Sequence, residues 1–161
     1  IIEFGSGEGT KLLTKRYKVF SIEHDKRFLN QHHENYIYAP LINHYEVVNL
    51  SNASNVSFGS LSNNLDNLNL VLREYSWYDT FKLRESLPQE YSLIIIDGPP
   101  GNVGRFGFLY NLELFNTNVI MLFDDTERME ERFLVNEVAR ILGKRANFFE
   151  TSLGKGFAVI V

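Results

Sequence analysis

Short apolar runs that alternate with helix-forming stretches restrict the fold of this chain more than any other feature. Uninterrupted apolar runs are typical of strands that are covered on both faces of a sheet. Strands are predicted over Ile1–Phe4, Tyr17–Ile22, Tyr91–Ile96 and Asn118–Phe123. Helices are predicted over Thr10–Arg16, Lys26–Asn35, Arg105–Phe115 and Thr126–Leu142, the last with Gly143 as its stop. Such an alternation is joined by right-handed crossovers into a mostly parallel sheet.

Two stretches near the end complete the predicted sheet. Ala146–Thr151 and Lys155–Val161 are joined through Gly154, so we expect an antiparallel strand pair. Tyr36–Ile42 is also rich in β-forming residues, with Pro40 near its end. The predicted fold class is therefore α/β, with a Rossmann-like, doubly wound and mostly parallel sheet that ends in an antiparallel C-terminal strand pair.

Composition places the chain among ordinary globular domains. Its 161 residues suit one domain, and 44% of them are hydrophobic and 22% charged. The net charge of −4 gives no electrostatic reason to expect nucleic acid or a membrane surface as a partner. Without cysteine, the chain has neither disulfides nor thiolate metal sites. No apolar run approaches the roughly 20 residues of a membrane span, and no signal peptide is visible, so we expect a cytoplasmic protein.

We expect a single domain over residues 1–161 with one insertion. Residues 43–69 are rich in Asn and Ser, which predicts a long loop or an irregular hairpin. Three Asn-X-Ser triplets there, at Asn49, Asn52 and Asn55, are attributed to chance in such a composition. Because the chain begins with Ile inside a predicted strand, we also expect an N-terminal segment to precede it.

The residues that follow the predicted strands are glycines and acids. They occur in the segments GSGEG, EHD, DGPPG and DDTER. In open α/β sheets, ligands bind beyond the carboxyl ends of the strands, near the point where the strand order reverses. These four segments are therefore the predicted site.

The first segment, within EFGSGEG, has glycine at every second position. Glycine permits unusual dihedral angles and close approach of a ligand to the backbone. The candidates are a structural turn, a dinucleotide-binding turn and a nucleoside-binding turn of another kind. The spacing here is G-x-G-x-G, which departs from the G-x-G-x-x-G of dinucleotide sites. Glu23 ends the second strand, where a carboxylate can accept hydrogen bonds from both ribose hydroxyls of a nucleoside.

This stretch resembles the first motif of class I S-adenosylmethionine-dependent methyltransferases, an acid followed by G-x-G-x-G after the first strand. The resemblance implies that the turn and the neighbouring strand ends hold S-adenosylmethionine. Glu3 or Glu8 would suit the cationic amino acid moiety of this donor, and Trp77 and Tyr78 are equally well interpreted as a pocket wall or as core aromatics. The implied donor contacts are Glu3, Gly5, Ser6, Gly7, Gly9, Glu23, His24, Trp77, Tyr78 and Asp97.

Three acids follow two strands of the predicted sheet. Asp97 ends one strand, and Asp124 and Asp125 end the next. Adjacent strands lie about 5 Å apart, so three carboxylates that converge there would repel one another unless a cation lies among them. We expect a divalent ion with oxygen ligands, Mg²⁺ first, with Mn²⁺ or Ca²⁺ as alternatives.

The three acids resemble the metal site of cation-dependent, catechol-type O-methyltransferases. That family places a lysine base three positions beyond the first acid, where this chain has Pro100. The stretch IDGPPGNVGRFG is similar to the D-G-P-x-G…G-R stretch of sugar and polysaccharide O-methyltransferases. Its Arg105 is interpreted equally as a partner for an acidic sugar and as the start of a helix.

Together the resemblances imply methyl transfer from S-adenosylmethionine to a hydroxyl of a small-molecule or carbohydrate acceptor. Asp97 is the expected catalytic residue, and Asp97, Asp124 and Asp125 are the expected metal ligands. An NAD(P)-dependent oxidoreductase and a non-catalytic nucleoside-binding domain are the alternatives.

Overall fold

A computed structural model describes residues 1–49, 64–65 and 70–161 of the chain. Their strands, in chain order, are β1 (Ile2–Phe4), β2 (Phe20–Glu23), β3 (Tyr36–Tyr38), β4 (Leu41–Asn49), β5 (Asn64–Leu65), β6 (Leu70–Tyr78), β7 (Leu93–Ile96), β8 (Ile120–Asp124), β9 (Ala146–Glu150) and β10 (Gly156–Ile160). Their helices are α1 (Glu8–Leu13), α2 (Thr80–Ser86), α3 (Gly107–Tyr110) and α4 (Met129–Leu142), with 3₁₀ turns at Lys26–Phe28 and Leu112–Leu114. Within these ranges no helix has the length and apolar character needed to cross a membrane.

The larger sheet contains seven of the described strands, in the order β3-β2-β1-β7-β8-β10-β9. Its first five strands pair in parallel, whereas β10 runs antiparallel to both β8 and β9. The chain moves outward from β1 to β3, returns to the middle at β7 and then builds the other half. The strand order therefore reverses between β1 and β7. The predicted α/β class, the mostly parallel sheet and the antiparallel final pair are confirmed.

The register brings the ends of the central strands to one edge of the sheet. Phe4 at the end of β1 is opposite Ile22 in β2 and Ile96 in β7, and Ile96 is opposite Phe123 in β8. The residues that follow these positions are therefore neighbours across the sheet. Beneath them, the Phe4 ring lies 5.4–5.8 Å, between ring centroids, from the rings of Trp77, Tyr78, Phe108 and Phe115.

Two of the predicted helices do not form as continuous α-helices. The prediction of a helix over residues 26–35 is wrong, because only the 3₁₀ turn Lys26–Phe28 forms there. The Asp25 side chain caps that turn by accepting from the Arg27 amide, and Asn30 has a φ of 58°, which no α-helix accommodates. The predicted helix Arg105–Phe115 is divided into α3 and a 3₁₀ turn at Asn111, where φ is −125°.

The predicted insertion and its flanking residues contribute to a second sheet. β4 and β6 form a long antiparallel ladder from Leu41 opposite Tyr78 to Asn49 opposite Leu70, and β5 pairs with β6. Residues 43–49 are part of a strand, so the loop interpretation is wrong for them, and the irregular hairpin stays a prediction. The triplets at Asn52 and Asn55 lie outside the described residues.

Candidate functional site

The loops that follow β1 and β7 contact each other through their backbones. Gly5 has a φ of +84°, and its amide donates to the carbonyl of Ile22 at 2.9 Å. A Cβ atom on Gly98 would lie 2.9 Å from the Gly5 nitrogen and 2.6 Å from the Tyr78 hydroxyl. Gly5 is thus required by its dihedral angle, and Gly98 by the close approach of its neighbours.

At Gly7 and Gly9, neither the backbone dihedral angles nor close neighbours among the described residues require glycine. Gly7 caps α1, and its amide donates to the Thr10 hydroxyl at 2.9 Å. Gly9 lies in the first turn of α1, and both glycines are exposed. A Cβ atom on either one would meet nothing within 4 Å in the described part of the chain. Open space beside these two glycines leaves room for a ligand.

Glu3 lies in the interior and does not line the pocket described below. Its Oε2 accepts from the hydroxyls of Thr10 and Ser21, each at 2.8 Å. Burial raises the pKa of Glu3, and the two hydroxyl donors oppose that rise. Glu3 therefore connects β1 to α1 and β2, and it supports the glycine turn through Thr10, which also accepts from the Gly7 amide.

A pocket of about 170 Å³ opens where the sheet order reverses. It is lined by Gly5, Ser6, Glu23, His24, Phe28, Tyr78, Asp97, Gly98 and Pro100. Most ligand sites have volumes of about 300–1,000 Å³, so this pocket would enclose one part of a larger ligand. Five of the predicted donor contacts other than Asp97 meet here: Gly5, Ser6, Glu23, His24 and Tyr78.

Glu23 is held in place with one oxygen unused. Its Oε1 accepts from the amides of His24 and Asp25, each at 2.8 Å. The side chain is only 4% exposed, and its Oε2 has no hydrogen bond to the described residues. A carboxylate fixed in this way at the end of β2 can accept from a ligand hydroxyl without reorganisation.

Tyr78 and His24 form the aromatic wall of the pocket. The Tyr78 side chain is fully buried, and its hydroxyl has no hydrogen-bond partner among the residues described. Burial is the main cause that raises the pKa of Tyr78 well above its usual range. His24 meets the Tyr78 ring edge-on, with 6.1 Å between the ring centroids.

Trp77 belongs to the core. It is fully buried, packs against Phe4 and Gly107, and is not among the pocket residues. The structure thus assigns Trp77 to the core and Tyr78 to the pocket, a distinction that the sequence does not make.

Three pocket residues were missed in the sequence: Phe28, Gly98 and Pro100. Gly98 and Pro100 lie in the DGPPG segment, so their position after a strand was a usable signal. Phe28 had no such signal, because its segment was predicted to be helical. The 3₁₀ turn instead leaves its ring 42% exposed at the pocket.

The three predicted metal ligands do come together. Carboxylate oxygens of Asp97, Asp124 and Asp125 lie within 4.8 Å of one another. Asp97 is half exposed at the pocket, where partial burial raises its pKa to about 6. Asp124 and Asp125 act in the same direction, and Arg105 opposes them.

Arg105 already supplies a cation to this acidic cluster, which comprises Asp97, Asp124 and Asp125. Its side chain is 2% exposed, and its Nη2 lies 3.2 Å from Asp97 Oδ1 and 2.8 Å from Asp125 Oδ2. Burial makes Arg105 inaccessible to an acidic sugar, so that interpretation is wrong. It does not start a helix either, because α3 begins at Gly107.

Asp125 is surrounded by cations. Arg128 lies 3.0 Å from its Oδ2, and Lys155 lies 3.4 Å from its Oδ1. With Arg105, three basic side chains therefore share this carboxylate. The donor set does not fit a divalent ion in this arrangement, because two of its three carboxylates are already paired with basic groups.

Comparisons with protein-family models, curated proteins and solved structures give no match. The functional assignment therefore depends on the chemistry of the pocket and of the acidic cluster.

Proposed function

We propose that this chain is an S-adenosylmethionine-dependent O-methyltransferase. The observation that carries the proposal is the pocket between the ends of β1 and β7, which Gly5 and Glu23 both line. Glu23 uses only Oε1 for its described hydrogen bonds, so Oε2 is available to a ligand. The mostly parallel sheet with its antiparallel final pair supports the class I methyltransferase fold that the resemblance implies. A small-molecule or carbohydrate acceptor, no nucleic-acid or membrane partner and a cytoplasmic location stay predictions.

The lining residues suit the adenosine part of the donor. Glu23 Oε2 would accept from ribose hydroxyls, while Oε1 keeps its two backbone donors. Phe28 and His24 offer ring surfaces for the base, and the buried Tyr78 ring supports His24. The donor would supply an electrophilic methyl group when bound. The rest of the donor would extend beyond the pocket towards the open side of Gly7 and Gly9.

Asp97 is the proton acceptor in this proposal. Its carboxylate lies at the pocket, and the pKa of about 6 leaves it mostly ionised at neutral pH. The hydroxyl proton of the acceptor would pass to Asp97 as the new oxygen–methyl bond forms and the methyl–sulfur bond breaks. Because Pro100 stands in place of the lysine of catechol-type enzymes, we assign the base to Asp97, which lines the pocket together with Glu23 and His24.

A dinucleotide is less compatible with the same turn. A pyrophosphate would need free amides and positive potential at the start of α1. The Gly7 amide is instead bonded to Thr10, and Glu8 places a carboxylate in the first turn of the helix. S-adenosylmethionine has no pyrophosphate, so it does not require such a phosphate site.

Calorimetric titration with S-adenosylhomocysteine and with NAD⁺ tests the proposal. We expect binding of S-adenosylhomocysteine and a ten- to hundredfold weaker affinity in Glu23→Gln, because hydrogen bonds to a charged group contribute about 1.5–3 kcal/mol. Glu113→Gln is the matched control, since Glu113 is exposed and its described ion pair is to Arg84. Binding of NAD⁺ without S-adenosylhomocysteine, or equal affinities for the wild type and Glu23→Gln, would contradict the proposal.

A further inference from the structure

The guanidinium of Arg105 lies against the carboxyl ends of two adjacent strands. It contacts backbone carbonyls that follow or end β7 and β8, and it is the most deeply buried basic group of the acidic cluster. We propose that Arg105 occupies the cation position of this cluster permanently, so that the site excludes a divalent metal ion. If the proposed function holds, methyl transfer by this chain needs no metal, and that consequence rests on the proposed function. The exclusion itself does not.

Arg105 is hydrogen-bonded to oxygens of Asp97, Asp124 and Asp125. Arg105 Nη2 lies 2.7 Å from the Asp97 carbonyl oxygen, and Nη1 lies 2.9 Å from that of Asp124. The same Nη2 is within 3.2 Å of carboxylate oxygens of Asp97 and Asp125. A Mg²⁺ ion needs oxygen ligands at about 2.0–2.1 Å in near-octahedral geometry. It could not reach these oxygens without lying beside a like charge that is already hydrogen-bonded to them.

Basic side chains also offset negative charge in and beside the acidic cluster. A fourth carboxylate, Glu131 of α4, is buried with its Oε1 3.9 Å from Arg105 Nε. Burial raises the pKa of Glu131, and Arg105 is the strongest opposing influence. Arg128 and Lys155 complete the compensation of Asp125. Three basic side chains thus offset most of the negative charge of these four carboxylates, which weakens their attraction for a divalent ion.

Arginine, and not lysine, suits this position. Its planar guanidinium donates to carbonyls on both strand ends: Pro99 at 3.3 Å after β7 and Asp124 at 2.9 Å in β8, besides Asp97. The carbonyls of Asp97 and Pro99 follow the last residue of β7, so sheet pairing no longer satisfies them. Lysine, with a single nitrogen, cannot span them. Arg105 is therefore a positioning residue that fixes the Asp97 backbone and carboxylate relative to β8.

Titration of the metal-free protein with Mn²⁺, followed by electron paramagnetic resonance of the free ion, tests the exclusion directly. We expect no saturable binding by the wild type up to millimolar Mn²⁺. Saturable one-site binding that is lost in Asp124→Asn would overturn the proposal. S-adenosylhomocysteine titrated in parallel with a chelator reports separately on the proposed function, because donor binding does not depend on the outcome with Mn²⁺.

The variant Arg105→Gln tests whether Arg105 is the cause. Removing the guanidinium unpairs Asp97 and weakens the compensation of Asp125, so a folded variant should gain a saturable Mn²⁺ site. Arg140→Gln is the matched control, because Arg140 is exposed and pairs with Glu137 on α4. A folded Arg105→Gln that binds no more Mn²⁺ than this control would overturn the role of Arg105. If circular dichroism finds Arg105→Gln unfolded, the wild-type titration decides, and Arg105→Lys tests whether another cation restores the exclusion.

Discussion

At the scale of single residues, the candidate site contains a partly buried carboxyl group whose pKa is raised and an arginine that partly reverses this rise. Asp97 is the residue in question, since partial burial and its acidic neighbours raise its pKa while Arg105 lowers it. A carboxyl whose pKa is raised on folding destabilises the folded protein at neutral pH. Active sites commonly store such a cost, because function and stability favour different residues there.

Replacing Asp97 should therefore stabilise the protein at neutral pH. The folded pKa of about 6 exceeds the ordinary 3.8, so the penalty is present above pH 6 and disappears as the pH falls through 3.8. Asp97→Asn should be more stable than the wild type to urea at pH 7.5, and the difference should vanish near pH 4. The Asn carbonyl oxygen can still accept from Arg105. A gain in stability that is independent of pH would contradict this account.

At the scale of elements, the short acidic segment before α4 is connected to the start of β10. The Glu127 carboxylate accepts from the Gly156 amide at 2.8 Å and pairs with Lys155 at 3.0 Å. A Cβ atom on Gly156 would lie 2.7 Å from the Glu127 nitrogen, so the two backbones are also close. This contact joins the antiparallel final pair to the strand end that carries the acidic cluster.

Acid should weaken this connection. Hydrogen bonds, that from the Gly156 amide first, lower the pKa of Glu127 from 4.5 to about 2. A depressed pKa stabilises the folded state above pH 4.5, and this contribution is lost as the pH falls towards 2. The stability difference between the wild type and Glu127→Gln, measured by urea unfolding, should be larger at pH 7 than at pH 3. Glu130→Gln provides the control, and equal differences at both pH values would count against the prediction.

The elements also indicate how far the sequence determines the result. Uninterrupted apolar runs predicted the central strands, because strands buried on both faces need such runs. The acids at the strand ends followed from the alternation with helices. The turn at Lys26–Phe28 was missed because its formation depends on the Asp25 cap and on the left-handed Asn30, which a helix-forming composition conceals. The burial of Arg105 was missed because carbonyls beyond the strand ends leave no pattern in the sequence.

At the scale of the whole molecule, the two halves of the larger sheet meet at the contact between Gly5 and Gly98. Gly98→Ala should destabilise the protein by about 1–3 kcal/mol, because the added methyl would overlap the Tyr78 hydroxyl and the Gly5 nitrogen. It should also weaken S-adenosylhomocysteine binding, since both neighbours line the pocket. Gly9→Ala, in open space, should change stability by less than about 1 kcal/mol. Urea unfolding measures both, and equal effects would refute the argument.

The β4–β6 ladder separates the pocket from the far end of the second sheet. Tyr78 lies at one end of β6, in the pocket wall, and Leu70 lies at the other. At about 3.4 Å per residue, the ladder separates them by roughly 27 Å. Insertions or deletions after Asn49 should therefore leave the position of the Tyr78 ring unchanged. Selection could therefore vary the residues that follow Asn49 independently of the pocket.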